Sequence, residues 1–186
     1  TRCGGAPGSQ ALSARGSSLP PHTRATLLLA YARTTNAYTI VETSGGAGST
    51  LTRTYADAAF DAACFDECLE PLGQALRIGP RDPLVGSWHW MIANCHFMRA
   101  DYPKAAESAR MASQANPRLP MPPLTLAAAL QRDGRIDEAR KIIADYRSRN
   151  PDYQTAQVER LLIGTEPRFV EGRQRMIDSL RALGMP

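Results

Sequence analysis

The chain has 186 residues, of which 43% are hydrophobic, with a formal net charge of +4 and a pI near 9.1. This length suits one domain of ordinary size with enough apolar residues for a core. Its 22 basic residues are scattered among 18 acidic ones, whereas a nucleic-acid surface concentrates them in a patch. We therefore expect no nucleic-acid partner.

The first fifty residues differ in composition from the rest. Residues 1–48 contain seven of the 14 glycines, interspersed with Ser, Thr and Pro. A segment of this kind buries too little apolar surface to offset chain entropy, so residues 1–50 are predicted to be a low-complexity, disordered N-terminal segment. Residues 37–43 have β-branched side chains that favour a strand, but a lone strand has no partner beside helices, and we interpret them as irregular.

Helical periodicity begins after residue 50, so residues 51–186 predict one helical domain. In residues 66–78, Cys68, Leu72 and Ala75 fall on one apolar helix face. A poorly supported helix lies near residues 52–60. The other helices are predicted at residues 84–99, 103–116, 122–132, 136–148, 154–163 and 166–183.

Residues 83–151 contain one sequence unit written twice. The recurring pairs are Ala93 and Ala127, Ala105 and Ala139, and Pro117 and Pro151. The second unit carries Gly134 in its turn, where a residue without Cβ adopts positive φ freely. The spacing of these pairs, about 34 residues, is typical of stacked helical hairpins.

These positions resemble the tetratricopeptide repeat family, which prefers small, bulky and turn residues at the same offsets. The matching residues of the later unit are Leu126, Ala127, Gly134, Ala139, Ile143 and Pro151. The resemblance implies an all-α fold in which antiparallel helical hairpins stack in a right-handed superhelix. It divides residues 51–186 into a half unit ending at residue 80, units at 83–117 and 118–151, and closing helices at 154–183.

The last predicted helix has its own apolar stripe. Val170, Ile177, Leu180 and Leu183 fall roughly on one face. Repeat arrays need a terminal helix with a polar outer side to cover the exposed core, and we expect this helix to do so.

A narrower resemblance concerns the runs at residues 75–83 and 178–186, which are similar to the C-terminal repeat region of bacterial class III adenylate/guanylate cyclases. It implies a module derived from a larger bacterial signalling protein. Neither a cyclase nor a winged-helix domain fits in residues 1–50, so we expect a non-enzymatic protein-interaction scaffold. Two alternatives stay open: a cyclase fragment without its catalytic domain, and the sensor tail of a winged-helix transcriptional regulator.

The family resemblance also implies a binding site, because such repeats bind proteins or peptides in a groove lined by the first helix of each unit. The candidate groove residues are Trp90, Asn94, Phe97, Gln131 and Arg132. In this hypothesis Asn94 bonds a peptide backbone, while Trp90 and Phe97 provide apolar contact. The alternative is that the two aromatic side chains pack against the adjacent helix.

No pattern indicates catalysis, a cofactor or a metal. Residues 45–50 are glycine-rich but lack the lysine of a phosphate-binding loop. His89 and His96 are two helical turns apart, about 10 Å along a helix, which is too far to share a zinc ion.

The cysteines lack the spacing of a disulfide framework, so we expect reduced thiols, with Cys68 and Cys95 as small core residues. The longest apolar run, residues 25–32, is far shorter than the roughly 20 residues that cross a bilayer. We therefore expect no membrane partner and a cytoplasmic location.

Overall fold

A computed structural model describes Phe65 and residues 68–162 and 166–186. Within these residues all regular secondary structure is α-helical, which confirms the all-α prediction. The helices are α1 (Leu69–Ile78), α2 (Val85–Met98), α3 (Tyr102–Ala115), α4 (Met121–Arg132), α5 (Ile136–Arg149), α6 (Thr155–Leu161) and α7 (Pro167–Ala182). The disorder predicted for residues 1–50, the strand-like residues 37–43 and the helix near 52–60 lie outside the described residues.

The connections after α2 and α4 are short turns that reverse the chain, so α2 pairs with α3 and α4 with α5 as helical hairpins. Gly134 has φ 82°, as predicted for the turn between α4 and α5. Ala100, at the corresponding position after α2, has φ 62°. An alanine in this left-handed region is strained, because its Cβ crowds the neighbouring carbonyl oxygen.

The period of the sequence repeat recurs in the backbone hydrogen bonds of the two hairpins. The amide of Ala100 donates to the carbonyl of Phe97, and one period later Gly134 donates to Gln131. The other pairs of equivalent bonds are Asp101 to His96 with Arg135 to Leu130, Ala105 to Asp101 with Ala139 to Arg135, and Asn116 to Ala112 with Asn150 to Tyr146. The repeated residues therefore adopt repeated backbone structure.

Two hydrophobic clusters lie on opposite sides of α2. The small cluster joins α1 to α2 through Cys68, Leu72, Ala75, Trp88, Met91 and Cys95. The large cluster joins α2 to α3, α4, α5 and α7, and its largest members include Phe97, Leu124, Leu130, Ile143, Tyr146, Phe169, Met176 and Leu180. Because α2 contributes to both, it is apolar on nearly all sides, as expected for a helix buried between two layers.

The prediction of reduced thiols is wrong for Cys68 and Cys95, which form a disulfide with a Cα–Cα distance of 6.9 Å. Both residues are fully buried, as predicted for small core residues. The bond links α1 to α2 across 27 positions of sequence. Spacing along the chain could not reveal it, since the two sulfur atoms meet only because α1 packs on α2.

The apolar stripe of α7 begins one residue earlier than predicted. Val170 is exposed (37%), whereas Phe169 is fully buried. The buried face follows Phe169, Gly172, Met176 and Leu180, at i, i+3, i+7 and i+11. Of the predicted stripe, Ile177 and Leu180 are buried and Leu183 is half-buried. With this face α7 covers both α4 and α2.

Candidate functional site

The candidate site is the surface of α2 and α4 that α7 covers, which we call the α2–α4 face. It holds all five residues of the predicted groove. Asn94 and Phe97 are buried, at 3% and 0% exposure, while Trp90 and Gln131 are half-buried and Arg132 is exposed. Only part of the predicted groove is therefore open to solvent.

Three polar side chains link α2 to α4 beneath this face. The indole Nε1 of Trp90 donates to Thr125 Oγ1 at 3.1 Å, and Thr125 Oγ1 donates to Asn94 Oδ1 at 3.2 Å. Thr125 and Asn94 are buried, so each bond replaces one that water would otherwise make. The carbonyl oxygen of the Asn94 side chain therefore bonds within the fold.

Sequence reasoning missed Thr125. The available signal was a single hydroxyl within the otherwise apolar stretch of residues 124–130. A buried hydroxyl needs a partner, and the side chains of Trp90 and Asn94 on the neighbouring helix provide it.

The two aromatic residues of the predicted groove pack inward. Phe97 makes an edge-to-face contact with Tyr102, with ring centroids 5.4 Å apart. Trp90 packs against the large cluster while its indole bonds Thr125. This arrangement corresponds to the alternative in which both rings pack against adjacent helices.

Arginine side chains make the polar contacts between α7 and the α2–α4 face. Arg132 on α4 donates to Ser179 Oγ at 2.7 Å and to the carbonyl oxygen of Arg175 at 3.0 Å. In the opposite direction, Arg175 on α7 donates to the carbonyl oxygen of Met98 at 2.9 Å. Arg132, predicted to contact a peptide, thus binds a helix of its own chain.

Gly172 allows α7 to approach α2 closely. A Cβ atom at this position would overlap Sδ of Met98, which is itself buried at 5% exposure. The helix axis could not remain at this distance with a larger residue unless Met98 moved. Gly172 and Met98 therefore define how α7 is placed on α2.

Both ends of α7 are held by further contacts. The guanidinium of Arg168 lies 5.7 Å from the ring centroid of Phe65, and Arg173 donates to the carbonyl oxygen of Leu162 at 3.0 Å. Beyond the other end, Arg147 donates to the carbonyl oxygen of Gly184 at 3.0 Å, and Met185 is buried. The helix is fixed along its whole length.

Two buried polar atoms near this face have no hydrogen-bond partner. They are Oε1 of Gln131, which precedes Arg132 on α4, and Nε of Arg175 on α7. An unsatisfied buried polar atom loses its bond to water and receives nothing in return. The fit between α7 and its surroundings is therefore incomplete in polar terms.

The outer surfaces of α3 and α5 are charged and paired. Glu138 accepts hydrogen bonds from Arg110 and Arg135, and the bond from Arg110 is the main reason that the pKa of Glu138 is lowered. Asp137 and Asp145 pair with arginines one helical turn away, as expected for a solvated face. Such exposed pairs contribute little to stability.

Within the part of the chain that the structure describes, no cluster of three or more His, Cys, Asp or Glu side chains is arranged to hold a metal ion. In the same residues no helix has both the length and the apolar character needed to cross a membrane. His96 is largely buried, its Nδ1 lies 3.7 Å from Asp101 Oδ2, and burial lowers the pKa of His96.

No protein-family model matches this sequence, and searches of curated proteins and of solved structures found no match either.

Proposed function

We propose that this chain is a non-enzymatic protein-interaction scaffold whose α2–α4 face binds a helical segment. The observation that carries the proposal is α7 itself, since this face already holds an amphipathic helix. Apolar side chains of α7 enter the large cluster while Arg132 bonds its backbone and Ser179. A helix in a groove of this kind is a common mode of peptide recognition.

We also propose that the hairpins stack as tetratricopeptide repeats and that the module derives from a bacterial signalling protein. The recurrence of equivalent backbone hydrogen bonds one period apart supports the repeat. So do Ala93, Ala127, Ala105 and Ala139, which are all fully buried where close helix packing requires small residues. In such a stack, α2 and α4 are the first helices of successive units and line the same face.

A cytoplasmic location remains a prediction, and one feature opposes it. The Cys68–Cys95 disulfide is of a kind that reducing compartments seldom maintain. Measuring the thiol content of the chain immediately after extraction from its source cells, with free thiols blocked during lysis, would decide the matter. Two blocked thiols at these positions support the cytoplasm, and an intact bond contradicts it.

Site-specific photo-crosslinking tests the scaffold function. A benzoylphenylalanine replaces Trp90 on the α2–α4 face, and in a matched variant it replaces Lys141 on the exposed outer side of α5. After irradiation in a lysate of the source cells, we expect a partner protein to crosslink at position 90 and not at position 141. Circular dichroism checks that both variants are folded.

The crosslinked partner must also bind the purified chain directly, with a measurable dissociation constant. Crosslinking that is equal at both positions, or confined to position 141, would place the interaction elsewhere. The absence of any partner at either position, with both variants folded, would refute the scaffold function.

A further inference from the structure

We propose that the partner of the α2–α4 face is an amphipathic helix with the apolar spacing of α7, and that it binds by displacing α7. This inference rests on the proposed function and names the chemistry of the partner. The helix presents a large apolar residue, a small residue, and two more large apolar residues at i, i+3, i+7 and i+11. In α7 these positions are Phe169, Gly172, Met176 and Leu180.

The α2–α4 face selects for this spacing chiefly through shape. Met98 leaves no room for a Cβ at the second position, so a partner helix needs glycine there to reach the same depth. The flanking positions are fully buried in α7, at 0% exposure for Phe169, Met176 and Leu180. A helix without large apolar residues there would leave unfilled space in a close-packed core.

The polar contacts tolerate an exchange of helices. Arg132 bonds a carbonyl oxygen of the α7 backbone, a group that every helix carries. Arg175 in turn bonds the carbonyl oxygen of Met98, so any arginine at that helix position replaces it. Within the described residues, the one disulfide joins α1 to α2 and leaves α7 free of a covalent link to the face.

The unsatisfied atoms show how another helix can bind better than α7. Oε1 of Gln131 and Nε of Arg175 are buried without partners while α7 is bound. A partner helix that places a hydrogen-bond donor beside Gln131, and a residue other than arginine at the position of Arg175, removes both defects. Its gain in binding favours the displacement of α7.

The experiment uses the full chain and a fluorescein-labelled peptide with the sequence of residues 166–186. The variant Gly172→Leu places a bulky side chain against Met98, so the chain's own α7 is expelled while the α2–α4 face is unchanged. The matched control is Gln174→Leu, which adds the same side chain on the exposed side of α7. Fluorescence anisotropy measures peptide binding.

We expect the peptide to bind the Gly172→Leu chain at least tenfold more tightly than the wild-type chain, and the control chain to behave as wild type. A peptide that itself carries Gly172→Leu should bind none of them. Equal affinity for wild-type and Gly172→Leu chains overturns the proposal if circular dichroism shows the variant to be folded. If that variant does not fold, Arg175→Ala decides, with an expected gain of about threefold over wild type and no gain as the contrary result.

Two further readouts identify the occupant. Light scattering of the unlabelled wild-type chain reveals whether copies exchange α7 with each other, and a dimer that forms in this way overturns the proposal of a separate partner. In the lysate, the crosslink formed at position 90 of the Gly172→Leu chain should disappear when excess wild-type peptide is added. A crosslink that persists overturns the inference but leaves the scaffold function intact, whereas no crosslink at all refutes the function itself.

Discussion

The two sides of α2 show two ways of holding a helix. On one side α1 is the only described helix that α2 contacts, their shared cluster is small, and a disulfide connects them. On the other side α7 lies across both α2 and α4, without a disulfide among the described residues, and its apolar side chains enter a cluster formed by five helices.

The difference shows how apolar area and cross-links substitute for one another. A pair of short helices buries little surface and gains from a covalent link that restricts the unfolded chain. A helix that covers two others buries enough surface to stay bound without one, and it remains exchangeable. The α2–α4 face, and not the α1 side, is for this reason the surface suited to binding.

The largest expected effect tests whether the two clusters are separate units. Leu130→Ala removes a fully buried side chain from the large cluster and should lower the free energy of global unfolding by about 2–5 kcal/mol. Leu72→Ala makes the same change in the small cluster and should mainly increase hydrogen exchange in α1. Urea unfolding and amide exchange measure the two. Equal losses of global stability would mean that the clusters unfold as one.

Removing the cross-link should weaken only the α1 side. Reduction of the Cys68–Cys95 bond, whose partners are 27 positions apart, should destabilise the attachment of α1 by about 3 kcal/mol, because the unfolded chain regains loop entropy. Exchange of α1 amides should accelerate under dithiothreitol while that of α7 stays constant. The double variant Cys68→Ala/Cys95→Ala, without reductant, is the control. Faster exchange in α7 as well would contradict the comparison.

The bonds beneath the α2–α4 face make a smaller contribution. Thr125→Val removes the hydroxyl between Trp90 and Asn94, leaves Asn94 Oδ1 buried without its partner, and should lower stability by about 1–3 kcal/mol. Thr125→Ser keeps the hydroxyl and should recover most of that loss. Thermal unfolding by circular dichroism compares them. If valine is as stable as threonine, the polar link does not hold α2 against α4.

The two equivalent turns should respond with opposite signs. Ala100→Gly relieves a positive φ of 62° and should raise stability by about 1 kcal/mol, while Gly134→Ala introduces that strain at φ 82° and should lower it by a similar amount. No atom lies within 4 Å of a Cβ at Gly134, so the effect there comes from the backbone alone. Urea unfolding of both variants measures the two changes. Changes of the same sign would mean that the turns are not equivalent.

Features that depend on local pattern were predictable from the sequence. The helices of the repeated units begin and end within about one residue of their predicted limits, because apolar periodicity and prolines mark them locally. The left-handed glycine at 134 was predictable for the same reason, since a tight turn after a helix demands positive φ.

Features that depend on contact between distant residues were not predictable. The disulfide exists because α1 packs on α2, and Thr125 is bonded because two helices align its hydroxyl with Asn94. Likewise, α7 could be predicted as a covering helix, but its apolar residues allowed two nearly equivalent stripes. Packing against Met98, which admits only glycine at 172, selects the stripe that begins at Phe169.

A double-mutant cycle between Gly172 and Met98 tests most directly whether α7 occupies the α2–α4 face. In the wild-type chain Gly172→Ala should destabilise by about 1–3 kcal/mol, because the added Cβ overlaps Met98 Sδ in a filled core. In a Met98→Ala background the same change should stabilise by up to about 1 kcal/mol, since alanine favours the helix and the obstacle is gone. A reversal of sign in urea unfolding is the predicted result. Effects that add within about 0.5 kcal/mol would show that the two residues do not touch and would contradict the account.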